Sequence, residues 1–485
     1  MRTRRNRRGG GTLIRGPNLL ATARDVRRAG RGDPAGLARR QRDRLAGMIA
    51  FARRESAFYR KRYRHLPEGV PDLLSLPPVS KQELMERFGD WVTDPAVTRE
   101  GVEAFVARNE EIGALYLGRY VVFATSGTTG RPALFVHDRG AAAVYLALAA
   151  VRRFLPLLSA RSLWSFLRRG GRTASIIATG GHFTSSVIGG LARRRFPRLS
   201  AKNRTLSILS PLPELVRDLN GFRPVLLGSY PTALSVLARE RESGGLHIDP
   251  ALILTGAERL SPTARDRIGS AFGCPVRDTY AASEFMGIAY DCEHGHLHLN
   301  ADWVVLEPVD AEHRPVPEGQ PSHTTLLTNL ANRVQPILRY DLGDSVTKVP
   351  GPCPCGSPLP GILVEGRRDE ILHLRSDAGE TVPVVPLALA TVVEEIPGIR
   401  SWQLIQAGPA RIRLRIEEAI GHDRGRVCDE AADRLRAYLA TLGLGSVAVE
   451  KTEERPLRDT AGGKLRQIFA DPGNGAVRPS PPPRI

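Results

Sequence analysis

The segment Thr125-Ser126-Gly127-Thr128-Thr129-Gly130-Arg131-Pro132 puts four hydroxyl side chains into its first five positions and interleaves them with glycine. Gly127 and Gly130 let neighbouring backbone N–H groups converge on one anion, and Ser126, Thr128 and Thr129 add hydroxyl donors. Such a cradle suits the β- and γ-phosphates of a nucleotide. It differs from the loop in which Gly-Lys-Ser/Thr opens a helix, because Gly130 is followed by Arg131-Pro132 and the strand-like run ALFV. The pattern predicts a strand–loop–strand. A plain polar hairpin turn is usually shorter and poorer in hydroxyls.

A second constellation joins Cys292-Glu293-His294-Gly295-His296-Leu297-His298 to the later Cys353-Pro354-Cys355. Thiolates and imidazoles in these numbers supply a tetrahedral set for zinc. The residue types leave His294, His296 and His298 in competition for the imidazole place. Four protein ligands leave no open position, so the expected role is structural. Cys274 and Cys428 read as small buried hydrophobes. Five cysteines do not suggest a disulfide framework, and a reducing cytoplasm is the expected location.

The elements that must position these groups belong to an ordinary globular composition, 485 residues with 42% hydrophobic and 25% charged. The formal charge of +18 comes from arginine spread along the whole chain. That is compositional bias rather than a nucleic-acid footprint: the Cys/His set is too divided for a finger, aromatics are 6%, and no recognition-helix motif appears. Arg2, Arg4, Arg5, Arg7 and Arg8 precede Gly9-Gly10-Gly11 without an apolar segment, which predicts a disordered tail over residues 1–30 and no secretory signal. The apolar runs Ala141–Val151 and Val382–Val393 fall short of the ~20 residues of a membrane span, so no membrane partner is expected.

Along the chain, Leu37, Leu45, Met48, Ile49, Ala52 and Tyr59 predict a helix from Asp33 to Tyr63, and Ser80 with Glu83 predicts a capping box. From Tyr116 to Phe272, runs such as PVLLGSY and ALILTGA alternate with helical stretches at Gly140–Phe154, Pro231–Glu242 and Pro262–Phe272. This alternation predicts an α/β fold with a mostly parallel sheet. After Pro275 the texture is β-rich, and HLHLNADWVVLEPV reads as a strand pair. A change of character at Gly366–Asp369 predicts a large domain over 31–366, a small α+β domain over 367–471, and a disordered Pro- and Gly-rich tail over 472–485.

Six segments in order carry a resemblance to the adenylate-forming superfamily of acyl–CoA synthetases, peptide-synthetase adenylation domains and luciferases. They are Thr125–Pro132, Leu254-Thr255-Gly256-Ala257-Glu258, Asp278-Thr279-Tyr280-Ala281-Ala282-Ser283-Glu284, Ile337–Asp344, Gly366-Arg367-Arg368-Asp369-Glu370 and Ala461-Gly462-Gly463-Lys464-Leu465-Arg466. Phe58–Tyr63, LPPVSKQEL and GSYPTAL resemble the phenylacetate–CoA ligase group. Ala281 stands where the motif usually has Gly, Glu370 where it has Asp, and Arg131 where it has Lys.

The resemblance implies a ligase that activates an organic acid, aromatic or arylacetic, with ATP and Mg²⁺ and transfers it to coenzyme A. Transfer to an amine or a carrier-protein thiol shares the first step. By the same resemblance, Ser126, Gly127, Thr128, Thr129 and Gly130 would hold the triphosphate, and Glu284 would bind Mg²⁺. Asp344 and Arg367 would meet the ribose, and Glu258, Tyr280 and Ser283 would border the adenine and acyl pockets. Relatives that carry a structural zinc point to Cys292, His298, Cys353 and Cys355. Dimers fit the relatives too. Lys464 would bring its ammonium to the α-phosphate and the carboxylate, on a domain that swings about Asp369. An inactive relative is not expected, since Glu284, Asp344, Arg367 and Lys464 are all present. Lys464→Ala is expected to abolish acid-dependent ATP–pyrophosphate exchange while ATP binding persists; undiminished exchange contradicts the lysine's role.

Overall fold

The computed structural model describes residues 19–67, 72–125, 133–157, 166, 168–179, 182–195, 201–208, 210–367, 370–384, 386–457 and 465–471. The first helix, Leu19–Ala29, lies where the arginine-rich start predicted a disordered tail. Its arginines face outward while Thr22, Val26 and Ala29 are buried, and it packs on the Arg139–Leu148 helix. Arginine density masked an amphipathic stripe.

The helix expected from Asp33 to Tyr63 breaks in two at Ser56, giving Pro34–Glu55 and Ala57–Arg62. Asp33 caps the first through the Gly36 N–H, with Pro34 at a position that needs no donor. Ser56 is fully buried, and its hydroxyl donates to the Trp91 carbonyl at 2.9 Å. A buried hydroxyl with such a partner redirects the chain that periodicity alone would continue.

Strand β1 (Val121–Ala124) and β2 (Leu134–His137) pair antiparallel, flanking the hydroxyl-rich loop as expected. The alternating region forms one fully parallel sheet, β3 (Thr173–Ile177), β4 (Asn203–Ser207), β5 (Leu226–Ser229), β6 (Leu252–Thr255) and β7 (Val276–Arg277), in the order β4-β3-β5-β6-β7. Helices Thr184–Arg195, Leu212–Phe222, Pro231–Glu242 and Pro262–Phe272 are its crossovers. The carboxyl ends of β5, β6 and β7 lead into Tyr230, Gly256 and Asp278, the edge where open α/β sheets bind ligands.

The β-rich stretch makes two further sheets. One is β14-β15-β10-β9-β8, with β8 (Thr279–Ala282), β9 (Phe285–Asp291), β10 (Leu297–Leu299), β14 (Asp344–Val349) and β15 (Gly361–Arg367). The other is β11-β12-β13, with β11 (Val304–Val309), β12 (Thr324–Asn329) and β13 (Ile337–Asp341). The expected pair in HLHLNADWVVLEPV is therefore corrected: β10 joins β9 and β15, whereas β11 joins β12. The intervening Asn300 and Asp302 are fully buried, and Asp302 receives the Arg152 guanidinium at 2.7 and 2.9 Å. Such a bonded polar corner sends the two strands to different sheets.

A separate core runs from Leu372 to Ile468. It is built on β16 (Leu372–Arg375) with β17 (Thr381–Val384), and on β18 (Ile399–Gly408), β19 (Arg411–Glu418), β20 (Ala448–Lys451) and β21 (Ile468–Ala470) in the order β20-β19-β18-β21. Helices Pro386–Glu394 and Arg424–Thr441 cover that sheet. Buried Cys428 belongs to this core, and Cys274 packs at the edge of the parallel-sheet core.

Among the described residues one helical run, Arg139–Leu157, reaches the length and apolarity of a membrane span, which the isolated apolar run did not. Its Ala141, Val144, Tyr145, Ala147 and Leu148 are buried in the protein, and Arg152 within it binds Asp302.

Candidate active site

Two buried carboxylates define the centre. Glu284 follows β8, and Asp344 opens β14. The Tyr280 hydroxyl donates to Asp344 Oδ2 at 2.6 Å, and Arg367 Nη1 donates to Asp344 Oδ1 at 3.1 Å and to the Leu342 carbonyl at 3.2 Å. Asp344 and Arg367 are also register partners across β14 and β15, so the sheet itself holds the ion pair together. Gly343 must be glycine here: its φ is +76°, and a Cβ would stand 3.2 Å from the Arg367 guanidinium.

Burial raises the Glu284 carboxyl above its ordinary value; Tyr340 hydrogen-bonds the carboxylate and opposes the shift, Asp344 adds to it, and Arg367 also opposes it. Burial likewise raises Tyr280, Asp344 adding to the effect, and raises Tyr340, with Glu284 adding. Both phenols remain donors at neutral pH. A hydroxyl bonded to a carboxylate contributes about 1.5–3 kcal/mol, which offsets part of the cost of burying two acids side by side.

The backbone at Ser283 and Glu284 is fixed from behind. His137 on β2 directs Nε2 to the Ser283 carbonyl at 2.8 Å, so that nitrogen carries the proton. Its Nδ1 meets the Tyr145 hydroxyl at 3.1 Å. Burial pushes the ring down to about 4, leaving it neutral. Asn329 Nδ2 donates to the Glu284 carbonyl and to the Tyr145 hydroxyl, both at 2.9 Å. The β1–β2 hairpin and the turn between β8 and β9 that carries Glu284 are thus tied by one hydrogen-bonded chain.

Lys81 enters from the amino-terminal side. Val79 bridges β13: its N–H donates to the Arg339 carbonyl at 3.0 Å, and its carbonyl accepts from the Asp341 N–H at 2.9 Å. Arg339, almost wholly buried, bonds the Leu74 and Leu76 carbonyls and pairs with Glu307 at 3.2 Å. Ser80 caps the Lys81–Glu86 helix through the Glu83 N–H at 3.2 Å. The expected capping box is only half formed, since the Glu83 carboxylate turns to Arg62. So anchored, Lys81 Nζ reaches Thr125 Oγ1 at 3.4 Å, at the root of the loop. Burial lowers its ammonium below the usual value, Glu284 opposing and Arg367 adding.

Of the residues expected from sequence, Glu284, Tyr280, Asp344 and Arg367 converge. Ser283 lies beside Glu284 and shares its hydroxyl with Thr184 at 3.2 Å. Glu258 caps the Pro231–Glu242 helix, accepting from the Thr232 N–H at 3.2 Å and from its hydroxyl at 2.7 Å. Ser126, Gly127, Thr128, Thr129, Gly130 and Lys464 lie outside the described residues, as does Asp369. Lys81, His137, Asn329 and Tyr340 were not anticipated as site residues. Only Lys81 and Tyr340 had a signal, standing inside quoted motifs.

A second site gathers Cys292, His298, Cys353 and Cys355, whose ligand atoms all lie within 4.8 Å of one another. His298 Nδ1 faces the Leu359 carbonyl at 2.9 Å and so carries the proton, leaving Nε2, 3.3 Å from Cys355 Sγ, free to ligate. His296 approaches Cys353 at 3.2 Å from outside the quartet, and His294 lies beside exposed Glu293.

No family model matches the chain. Protein CapK of Staphylococcus aureus is 32% identical over 133 residues, so the chain matches only 28% of CapK's length and 27% of its own. A solved 2-hydroxyisobutyryl-CoA ligase, in its postadenylation state with R3-HIB-AMP, is similar over 92% of each chain at 21% identity, with a TM-score of 0.66. The same ligase with 2-HIB-AMP and CoA in its thioesterification state gives 0.53 at 22% identity, covering 92% of this chain and 91% of that one. The chain has the fold of the adenylate-forming CoA ligases.

Glu284→Gln isolates the cost of the buried acid. A carboxyl whose folded value lies above its ordinary 4.5 loses stability as pH rises from 4.5 through the raised value, because the folded state holds its proton longer. The nucleotide-free variant is therefore expected to gain on the parent over that window, to match it near pH 4 and to stay ahead at pH 7. Urea titrations at several pH values check this, and a parent–variant difference independent of pH contradicts it.

Proposed function

We propose that this chain activates a carboxylic acid as its acyl-adenylate and then passes the acyl group to coenzyme A. The observation that carries the reading is the paired Glu284–Asp344 centre, buried beside Lys81 within this fold. A buried acid with its proton affinity raised is what a hard cation displaces a proton from.

In the first step a carboxylate oxygen attacks the α-phosphorus of ATP, the bond to the bridging oxygen breaks, and pyrophosphate leaves. Two anions must approach, so positioning and charge neutralisation carry the catalysis. Glu284 would hold Mg²⁺, which neutralises phosphate charge when bound. Asp344, oriented by Tyr280 and Arg367, would accept hydrogen bonds from the ribose hydroxyls. Lys81 would meet phosphate oxygens where it leans on Thr125, and Lys464 would meet the α-phosphate and the acid. In the second step the thiolate attacks the acyl carbon, the C–O bond to AMP breaks, and AMP leaves with both of its shared electrons.

The substrate read from the phenylacetate–CoA ligase resemblance is an aromatic or arylacetic acid. The Cys292–His298–Cys353–Cys355 quartet would hold a structural zinc, tying β9 and β10 to the turn before β15.

ATP–pyrophosphate exchange over a panel of aromatic and aliphatic acids tests the first step. Coenzyme A, amines and a phosphopantetheinyl carrier, offered to the best acid, test the second. Exchange with an arylacetic or aromatic acid followed by a coenzyme A thioester is expected; no exchange with any acid overturns the reading. For the metal, elemental analysis is expected to find one zinc per chain, lost in Cys353→Ser with a lower melting temperature. A metal-free parent of equal stability contradicts the site.

A further inference from the structure

The amino end of the parallel sheet, the edge opposite to the one where ligands of such folds bind, carries a cavity of its own. Its volume is about 640 Å³, within the range of roughly 300–1,000 Å³ that small-molecule sites occupy. Arg168, Arg169, Arg172, Arg223 and His247 line it, with Asp249. Arg172 stands just before β3, Arg223 just before β5 and Asp249 just before β6. The other ends of β5 and β6 lead into Tyr230 and Gly256, so a four-residue strand, about 13 Å long, separates the cavity from the edge nearest the candidate active site.

The backbone around the cavity is tied together. The Arg172 carbonyl accepts from the Val225 N–H at 2.8 Å and from the Leu226 N–H at 3.3 Å, and Arg172 Nε donates to the Arg223 carbonyl at 3.3 Å. The Ala251 N–H donates to the Val225 carbonyl at 2.7 Å. Asn220, on helix Leu212–Phe222, holds the His247 N–H at 2.6 Å.

Charge is what these walls offer. A guanidinium keeps its proton at working pH, and among the described residues Arg168, Arg169, Arg172 and Arg223 form no ion pair. Asp249 is already taken by Arg241 at 2.6 Å. The four differ in this from Arg152, Arg265 and Arg339, each of which meets a carboxylate. Arg223 is also strained. It ends helix Leu212–Phe222 in the left-handed region, at φ +51° and ψ +66°, which favours glycine; helix Pro262–Phe272 ends in that region with Gly273, at φ +62°. An arginine there strains the backbone and sets a guanidinium on the cavity wall.

We propose that this cavity binds a polyphosphate, a chain of two or three linked phosphates, free or at the end of a nucleotide. Planar guanidinium forks match phosphate oxygens two at a time, and several forks on one wall call for several linked anionic groups. Apart from His247, no ring and no aliphatic side chain lines the cavity among the described residues. The phosphate chain is therefore what is read, and the nucleoside is not.

Calorimetry on the full chain tests this with sodium tripolyphosphate, ATP and GTP, in the parent, in Arg223→Gly and in Arg169→Gln/Arg172→Gln. The candidate active site is the same in all three proteins, so the binding that the variants lose reports the cavity. Affinity for tripolyphosphate at that component is expected to fall about tenfold or more in each variant. ATP, GTP and tripolyphosphate are expected to bind it within about threefold of one another. Arg223→Gly suits the left-handed backbone, so it is expected to melt no lower than the parent, and to keep ATP–pyrophosphate exchange within about twofold. Lost binding is thereby separated from lost folding. Tripolyphosphate binding equal in all three proteins overturns the proposal, and so does a component that takes one nucleotide and rejects tripolyphosphate. Single-stranded RNA or phosphatidylglycerol vesicles that bind through Arg223 while tripolyphosphate does not also overturn it. Absence of exchange in the parent tells against the ligase reading alone, and calorimetry still decides the cavity.

Discussion

Two acids buried within each other's field are the constraint from which the rest of this structure follows. Glu284 and Asp344 raise each other's cost, and neither is removed from water without help. The help is specific: two phenols, one guanidinium, and a glycine that lets the guanidinium approach. Each partner sits on a different strand or turn, so the mixed sheet must form correctly before the acids can be buried. Stability is given up at the point where a cation and a nucleotide would restore it.

The same economy explains the outer layers. His137, Tyr145 and Asn329 hold the Ser283–Glu284 backbone and one another, and Asn329 Oδ1 also accepts from the Ala331 and Asn332 N–H groups. Lys81 reaches the loop because Val79 and Arg339 stitch a linker onto β13.

Legibility in the sequence tracked locality. Motif residues such as Tyr280, Glu284, Asp344 and Arg367, which the structure brings together, could be singled out because residue order carries their spacing. The parallel sheet was readable from alternation; ligand chemistry marked the Cys/His cluster, and the choice of His298 within it came from the resemblance. Long-range partners were not: Asn329 and His137 look like ordinary strand residues until the sheets bring them behind Glu284. The break at Ser56 was hidden by an apolar period that runs straight through it, and the helix Leu19–Ala29 by its arginines. β10 and β11 were misjoined because alternation cannot show that Asn300 and Asp302 are buried between them. Arg223 gave no signal at all, since one arginine among 69 basic residues is distinguished only by its backbone conformation and the cavity beside it.

The central claim is that this carboxylate-centred site joins an acid to AMP through the acid's own oxygen. Turnover of an acid labelled with ¹⁸O in both carboxyl positions, with ATP and coenzyme A, tests it most directly by mass analysis of the released AMP. One labelled oxygen in AMP is predicted, because the attacking carboxylate oxygen stays on phosphorus when the thiol takes the acyl group. Thioester formed with unlabelled AMP, or with label in ADP or inorganic phosphate instead, contradicts the account.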